Sequence, residues 1–310
     1  MINQIPINQT KLFGLTKFIK NLIHLFEQNK LPNNILLSGQ KGLGKSTMAY
    51  HFINYVLSID EEFKYDIDNF EIRPESRTFK TILNRSNTNF ILIDIDPEKK
   101  SIDINQIRNL LLKMNKSSFN KKPRFVLIDN IDLLNTNSIN ALLKILEEPN
   151  KNVHFILINN NKKILKTLLS RCINFKIFLS NKDSLEVAKN LFDSELSELI
   201  NKDLINFYAT PGNIFNLIMF AKTNNYDLSD LNLKSLLKVI IKNKHYKKDI
   251  LIKYFIFDLL EFYFNKISSS LSYTFNDEYS YFLKKISDTK KFNLDEESLY
   301  MEFDKKILNG

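Results

Sequence analysis

Gly39-Gln40-Lys41-Gly42-Leu43-Gly44-Lys45-Ser46 stands between an apolar run, Ile35-Leu36-Leu37, and a segment in which Met48, Ala49, Phe52, Ile53, Val56 and Leu57 recur at helical spacing. A short, unbroken apolar run suits a parallel strand buried on both faces. Strand, glycine-rich turn and helix are the context in which a G-x-x-x-x-G-K-[ST] pattern reads as a phosphate loop. Gly39, Gly42 and Gly44 let the backbone curl so that its N–H groups converge on phosphate oxygens. The helix N-terminus adds partial positive charge, Lys45 reaches the outer phosphates, and Ser46 offers a hydroxyl to Mg²⁺. The expected nucleotide-binding set in this stretch is Gly39, Lys41, Gly42, Gly44, Lys45, Ser46 and Thr47, with ATP or ADP and Mg²⁺ as ligands.

On either side the chain alternates strands with helices. Phe90–Ile93, Phe125–Ile128, Phe155–Ile158 and Phe175–Ile177 are apolar runs of strand length. Between and before them, Leu15 to Phe26, Ser101 to Met114 and Ile139 to Glu148 carry apolar residues on one helical face. Asn137 or Ser138 is the expected cap of the last of these, and Pro149 its expected stop. Residues 60–89 show no period and read as an irregular insertion. This alternation predicts an α/β core over 1–177, a parallel sheet covered by helices on both faces. In such sheets ligands sit at the carboxyl ends of the strands, where the glycine loop, Asp129 and Asn159–Asn161 all fall.

Asp129 ends the third strand and is the expected partner of the loop, orienting the hydrated Mg²⁺ of a bound nucleotide together with Ser46. Hydrolysis also needs a base, and the residue that follows is Asn130, whose amide cannot accept a proton. Asp132 is expected to be a helix-start or surface carboxylate; if the chain hydrolyses ATP, it is the alternative base.

Beyond Ile177 strands cease. Helical patterns follow at 182–192, 195–208, 213–222, 231–243, 246–268, 277–287 and 294–307. The expected domains are therefore 1–177, 178–227 and 228–310, with polar Thr223–Asp230 as a hinge between the last two. With 44% hydrophobic and 25% charged residues the composition is that of a globular protein rather than a disordered one. The net charge of +9 is uneven: residues 1–177 hold 26 Lys and Arg against 16 Asp and Glu, and the remainder 18 against 19. A basic front half suits contact with a polyanion, although lysine is abundant along the whole chain. The single cysteine, Cys172, excludes an internal disulfide and a multi-cysteine zinc site. No signal peptide or membrane span is expected, which suits a cytoplasmic protein with no membrane partner.

Ser138-Ile139-Asn140-Ala141-Leu142-Leu143-Lys144-Ile145-Leu146-Glu147-Glu148-Pro149, followed by Ser170-Arg171-Cys172, resembles the bacterial clamp-loader ATPase family of DNA polymerase III. The likeness covers residues 12–177 well and the rest only in layout. It implies a AAA+ core, a small helical lid and an all-α collar that joins subunits into a ring. It implies that Arg171 is an arginine finger acting in trans on a neighbour's ATP, and that Asn160 contacts the terminal phosphate. The implied partners are the gamma/tau and delta subunits of a clamp loader and, through the complex, the sliding clamp and primed DNA. The chain departs from the family pattern in three places. Asn130 replaces the catalytic Glu, Pro211-Gly212-Asn213-Ile214 leads to Phe215 instead of a sensor arginine, and residues 57–90 hold no cysteine for a zinc module. A subunit that keeps its finger but lacks its own base would support ATP-dependent clamp loading in chromosomal replication without hydrolysing ATP itself. The alternatives are a catalytically active gamma/tau-like motor, a stand-alone AAA+ ATPase, or a nucleic-acid-binding module using the basic front half.

Overall fold

The computed structural model describes residues 6–95, 101–114, 121–148, 152–206, 209–268, 275–292 and 294–309. Residues 1–184 and 185–310 form two compact units.

In the first unit five parallel strands, β1 (Asn34–Ser38), β2 (Phe90–Ile93), β3 (Arg124–Ile128), β4 (Val153–Asn159) and β5 (Ile173–Lys176), lie in the order β2-β3-β4-β1-β5. Because side chains alternate across a strand, each apolar run feeds two cores. Ile35, Leu37, Phe125, Leu127, Ile156 and Ile158 face one layer, while Leu36, Val126, Phe155 and Leu157 face the other. The helices α1 (Thr16–Glu27) and α2 (Lys45–Leu57) cover the first face, and α4 (Ile104–Met114) and α5 (Thr136–Glu147) the second. Phe52 of α2 meets Phe125 edge-on at 5.8 Å. The fifth strand begins at Ile173, two residues before the expected start, and its outer position leaves Ile173 exposed.

Local chemistry sets the helix ends. Asn135, rather than Asn137 or Ser138, caps α5: its side chain accepts from the Ser138 N–H at 2.9 Å, so the helix begins at Thr136. Pro149, its expected stop, lies outside the described residues. Replacing Asn135 with Ala is expected to cost about 1 kcal/mol of stability, read as a lower denaturant midpoint. The helix α4 starts later than Ser101. Asp103 Oδ1 accepts from the N–H groups of Asn105 and Gln106, and Gln106 Oε1 accepts from Asp103 N–H, a reciprocal capping box.

Residues 60–89 are not irregular throughout. They contain the helix α3 (Arg77–Leu83), capped by Ser76 and gripped by Glu61, whose carboxylate accepts from the Ser76 and Thr78 hydroxyls. Seven residues are too few to show a period; the caps set this turn, and Phe79 and Ile82 pack it into the first core. The segment also closes over α2. His51 is fully buried, with Nε2 3.0 Å from the Gln9 carbonyl and Nδ1 3.0 Å from the Tyr65 hydroxyl.

The short helix α6 (Lys166–Leu169) precedes β5, and α7 (Asn181–Phe192) follows it. The second unit is helical: α8 (Leu196–Leu199), α9 (Pro211–Asn224), α10 (Leu233–Lys242), α11 (His245–Lys248), α12 (Ile250–Ser268), α13 (Phe275–Phe292) and α14 (Glu296–Phe303). The long helix expected over 195–208 is instead α8 and a 3₁₀ turn at Lys202–Leu204, because Asn201 caps a new start. The segment expected as a hinge carries Leu228 into the core, and the Leu228 carbonyl accepts from Asn201 N–H at 2.8 Å. Phe215, where a sensor arginine was sought, stacks on Phe192 at 5.3 Å. No helix among the described residues is long and apolar enough to cross a membrane.

Candidate nucleotide site

Strand order places the site. Inserting β1 between β4 and β5 brings the loop that follows it beside the ends of β4 and, one strand further, β3. Gly39 admits no side chain, since a Cβ there would lie 2.3 Å from the Ile177 carbonyl oxygen. Gly44 caps α2 at φ 87°, a left-handed conformation that glycine alone adopts at no steric cost. The loop therefore closes tightly, with Lys41 exposed on its outer side and Ser46 and Thr47 in the first turn of α2.

Lys45 is only 3% exposed. Its ammonium donates to the carbonyls of Gly39 (2.9 Å) and Gln40 (2.6 Å) and to Asn160 Oδ1 (3.0 Å). Burial lowers its pKa to about 8, against the pull of Asp129 and Asp132, so it stays mostly cationic at neutral pH. Ser46 Oγ donates to Asp129 Oδ2 at 2.6 Å. Burial pushes the Asp129 carboxyl up, Asp94 adds to this, and the Ser46 bond opposes it. A hydroxyl and a carboxylate oxygen side by side are hard ligands that suit Mg²⁺, which when bound supplies countercharge to phosphate oxygens. Of the nine expected residues, Gly39, Lys45, Ser46, Asp129 and Asn160 are held together by these bonds; Gly42, Gly44 and Thr47 flank them along the chain, and Lys41 is exposed.

One member of the cluster, Asp94, was not foreseen, and neither was the bridging role of Asn130. The pairing of Ile93 with Ile128 puts Asp94 level with Asp129 on the adjacent strand. Asn130 Nδ2 donates to Asp94 Oδ1 at 3.1 Å, and Asn130 Oδ1 accepts from Asn160 Nδ2 at 2.8 Å. Asn130 is thus a bridge between two strand ends. A carboxylate directly after the apolar run Phe90–Ile93 was the available signal for Asp94.

Asp132 stands at a helix start, one of its two expected places, but it is not a surface carboxylate. The turn Ile131–Leu133 folds its side chain inward, only 5% exposed, where it pairs with Lys162 at 2.9 Å. Arg171 lies apart from the cluster, on the turn between α6 and β5. Its guanidinium pairs with Glu147 and donates to the Thr167 carbonyl at 2.7 Å, with the side chain 30% exposed. Asn34 Nδ2, at the start of β1, donates to the carbonyls of both Leu146 and Arg171, at 2.9 and 3.0 Å. Burial raises the Cys172 thiol to about 11, so the neighbouring cysteine is no thiolate nucleophile.

Residues 14–180 match the family model described as DNA polymerase III, delta subunit. The chain is 28% identical over 273 residues to the DNA polymerase III subunit delta' of Buchnera aphidicola subsp. Schizaphis graminum, covering 81% of this chain and 78% of that protein. It is 29% identical over 235 residues to the gamma subunit of the same bacterium, covering 73% of this chain and 62% of the relative, and it spans 27% of the length of a Mycoplasma genitalium gamma/tau subunit. The crystal structure of a Thermotoga maritima gamma-subunit-related protein aligns with 92% of this chain and 96% of its own, at 17% identity and a TM-score of 0.47. With a AAA+ core and a family match across it, the chain belongs to the DNA polymerase III delta-subunit family of clamp-loader proteins.

Proposed function

We propose that the chain is a delta-prime-type clamp-loader subunit that holds a nucleotide without hydrolysing it and lends Arg171 to a neighbouring motor subunit. The observation that carries this reading is Asn130: the position after Asp129 holds an amide committed at both ends, to Asp94 and to Asn160. Neither end can take a proton from water. Asp132, the other base considered, is turned inward and ion-paired through Oδ2 with Lys162. Arg171 meanwhile keeps a surface position, where a guanidinium can exchange Glu147 for a partner's phosphate. In this reading residues 178–227 serve as a lid and 228–310 as a collar. The assembled complex, with gamma/tau and delta subunits, places a sliding clamp on primed DNA in the cytoplasm.

The test is co-purification from cells at moderate salt, together with an ATPase assay on the chain alone. Recovery with a second P-loop ATPase and a ring-opening subunit, and no turnover by the isolated chain, is the expected outcome. Recovery of the chain alone with steady turnover would overturn the reading. The nucleotide pocket has its own check. Lys45→Ala removes the one cation of the loop interior and is expected to weaken ADP binding about 100-fold in calorimetric titration, as losing one charge-assisted phosphate contact does.

A further inference from the structure

The nucleotide-pocket reading above carries one step more. We infer that the pocket selects a nucleoside diphosphate over a triphosphate, because the Lys45–Asn160–Asn130–Asp94 chain turns a carbonyl oxygen, not an N–H, toward the place of a third phosphate.

The direction of that chain is dictated by its two ends. An ammonium only donates, so the Asn160 atom 3.0 Å from Lys45 Nζ is Oδ1. A carboxylate only accepts, so the Asn130 atom 3.1 Å from Asp94 Oδ1 is Nδ2. Between them Asn160 Nδ2 donates to Asn130 Oδ1 at 2.8 Å, and every bond points the same way. The usual ambiguity of amide orientation is therefore removed from both sides.

A third phosphate beside Lys45 would be held by N–H donors, because its oxygens are anionic acceptors. Asn160 shows it an acceptor instead. Turning the Asn160 amide over would break its bonds to Lys45 and Asn130 at once and set two carbonyl oxygens against each other. Relieving that contact means turning Asn130 as well, which aims its oxygen at the Asp94 carboxylate. The penalty is passed along the chain and ends on a group that cannot donate. A diphosphate makes no such demand: it uses the loop N–H groups and Lys45 while Asn160 keeps its orientation. Asp94 and Asn130 are thus positioning residues for nucleotide choice. Gln106 Nε2 supports this end of the site by donating to the Asp94 backbone carbonyl at 2.8 Å.

The test is isothermal titration of the full chain with ADP and with the non-hydrolysable triphosphate AMP-PNP, both with Mg²⁺. ADP is expected to bind about tenfold tighter, the size of one mismatched polar contact. In Asn130→Ala the Asn160 amide is free to turn, and the preference is expected to shrink to about threefold or less; Asp94→Ala, checked for folding by its melting curve, should act the same way. AMP-PNP binding the wild type as tightly as ADP would overturn the inference. A preference left unchanged in both variants would overturn its assignment to the amide chain. If neither nucleotide binds, the pocket reading itself fails, and the inference with it.

Discussion

Replacing Arg171 with Ala is expected to lower ATP turnover at the neighbouring site of an assembled clamp loader by about 10³-fold or more, the effect of removing an arginine finger. The geometry makes this a clean substitution. The side chain is held by Glu147 and the Thr167 carbonyl, a partly exposed arrangement whose loss costs at most about 1 kcal/mol of stability. The backbone at Arg171 is held separately by Asn34, which the substitution leaves in place. The melting temperature and the ADP affinity of the chain should therefore stay near wild type while turnover collapses. Arg171→Lys keeps the charge but not the planar fork, and is expected to recover only a small part of the rate. The measurement is single-site turnover in the reconstituted complex on primed DNA with its clamp. A complex carrying Arg171→Ala that turns over at the wild-type rate would show that the ion pair with Glu147 is all this residue makes.

The second large effect is on stability against pH. Burial holds the His51 pKa at about 4, below its ordinary 6.5, although its bond to the Gln9 carbonyl pulls the other way. A carbonyl only accepts, so Nε2 carries the proton toward Gln9 and Nδ1 accepts from the Tyr65 hydroxyl. Protonating Nδ1 would reverse that second bond, leaving Tyr65 Oη to accept, and bury a charge. The folded state thus prefers neutral histidine and the unfolded chain takes up the proton first. The stability from this group is complete above pH 6.5 and is lost as pH falls from 6.5 toward 4, by about 3 kcal/mol in all. His51→Gln should flatten the melting temperature over that interval relative to wild type. Other groups shift too: burial lowers His154 and raises Asp129. They are common to both proteins and cancel in the difference. Superimposable pH profiles for the two proteins would remove His51 as the cause.

Much of the core was legible because its signals are local. The run Ile35–Leu37, the glycine spacing and the period of α2 are contiguous in the chain, and so is the Asp that follows β3. What was not legible depends on residues far apart in sequence. Asp94 joins the site only because β2 and β3 pair in register. His51 is clamped from Gln9 and Tyr65, neither of which carries a pattern. Asp132 was read as a helix-start or surface carboxylate, and its burial was not seen because its partner Lys162 stands beyond another strand and helix. Asn160 lay where expected, but the direction of its amide could not be known without both Lys45 and Asp94 in view. The cap of α5 was misplaced by two or three residues, since Asn135, Asn137 and Ser138 are all good caps and only backbone geometry chooses among them.

The double bond from Asn34 has a mechanical meaning. Asn34 opens β1 and Ser38 closes it, so this strand is a strut of roughly 16 Å running from the turn that bears Arg171 to the phosphate loop. Paired on both edges by β4 and β5, it can neither stretch nor slip past its neighbours without breaking a ladder. A shift of the loop along β1 would reach the far end as translation, not bending. The phosphate loop and the turn that bears Arg171 thus stand at a fixed spacing, set by the length of β1.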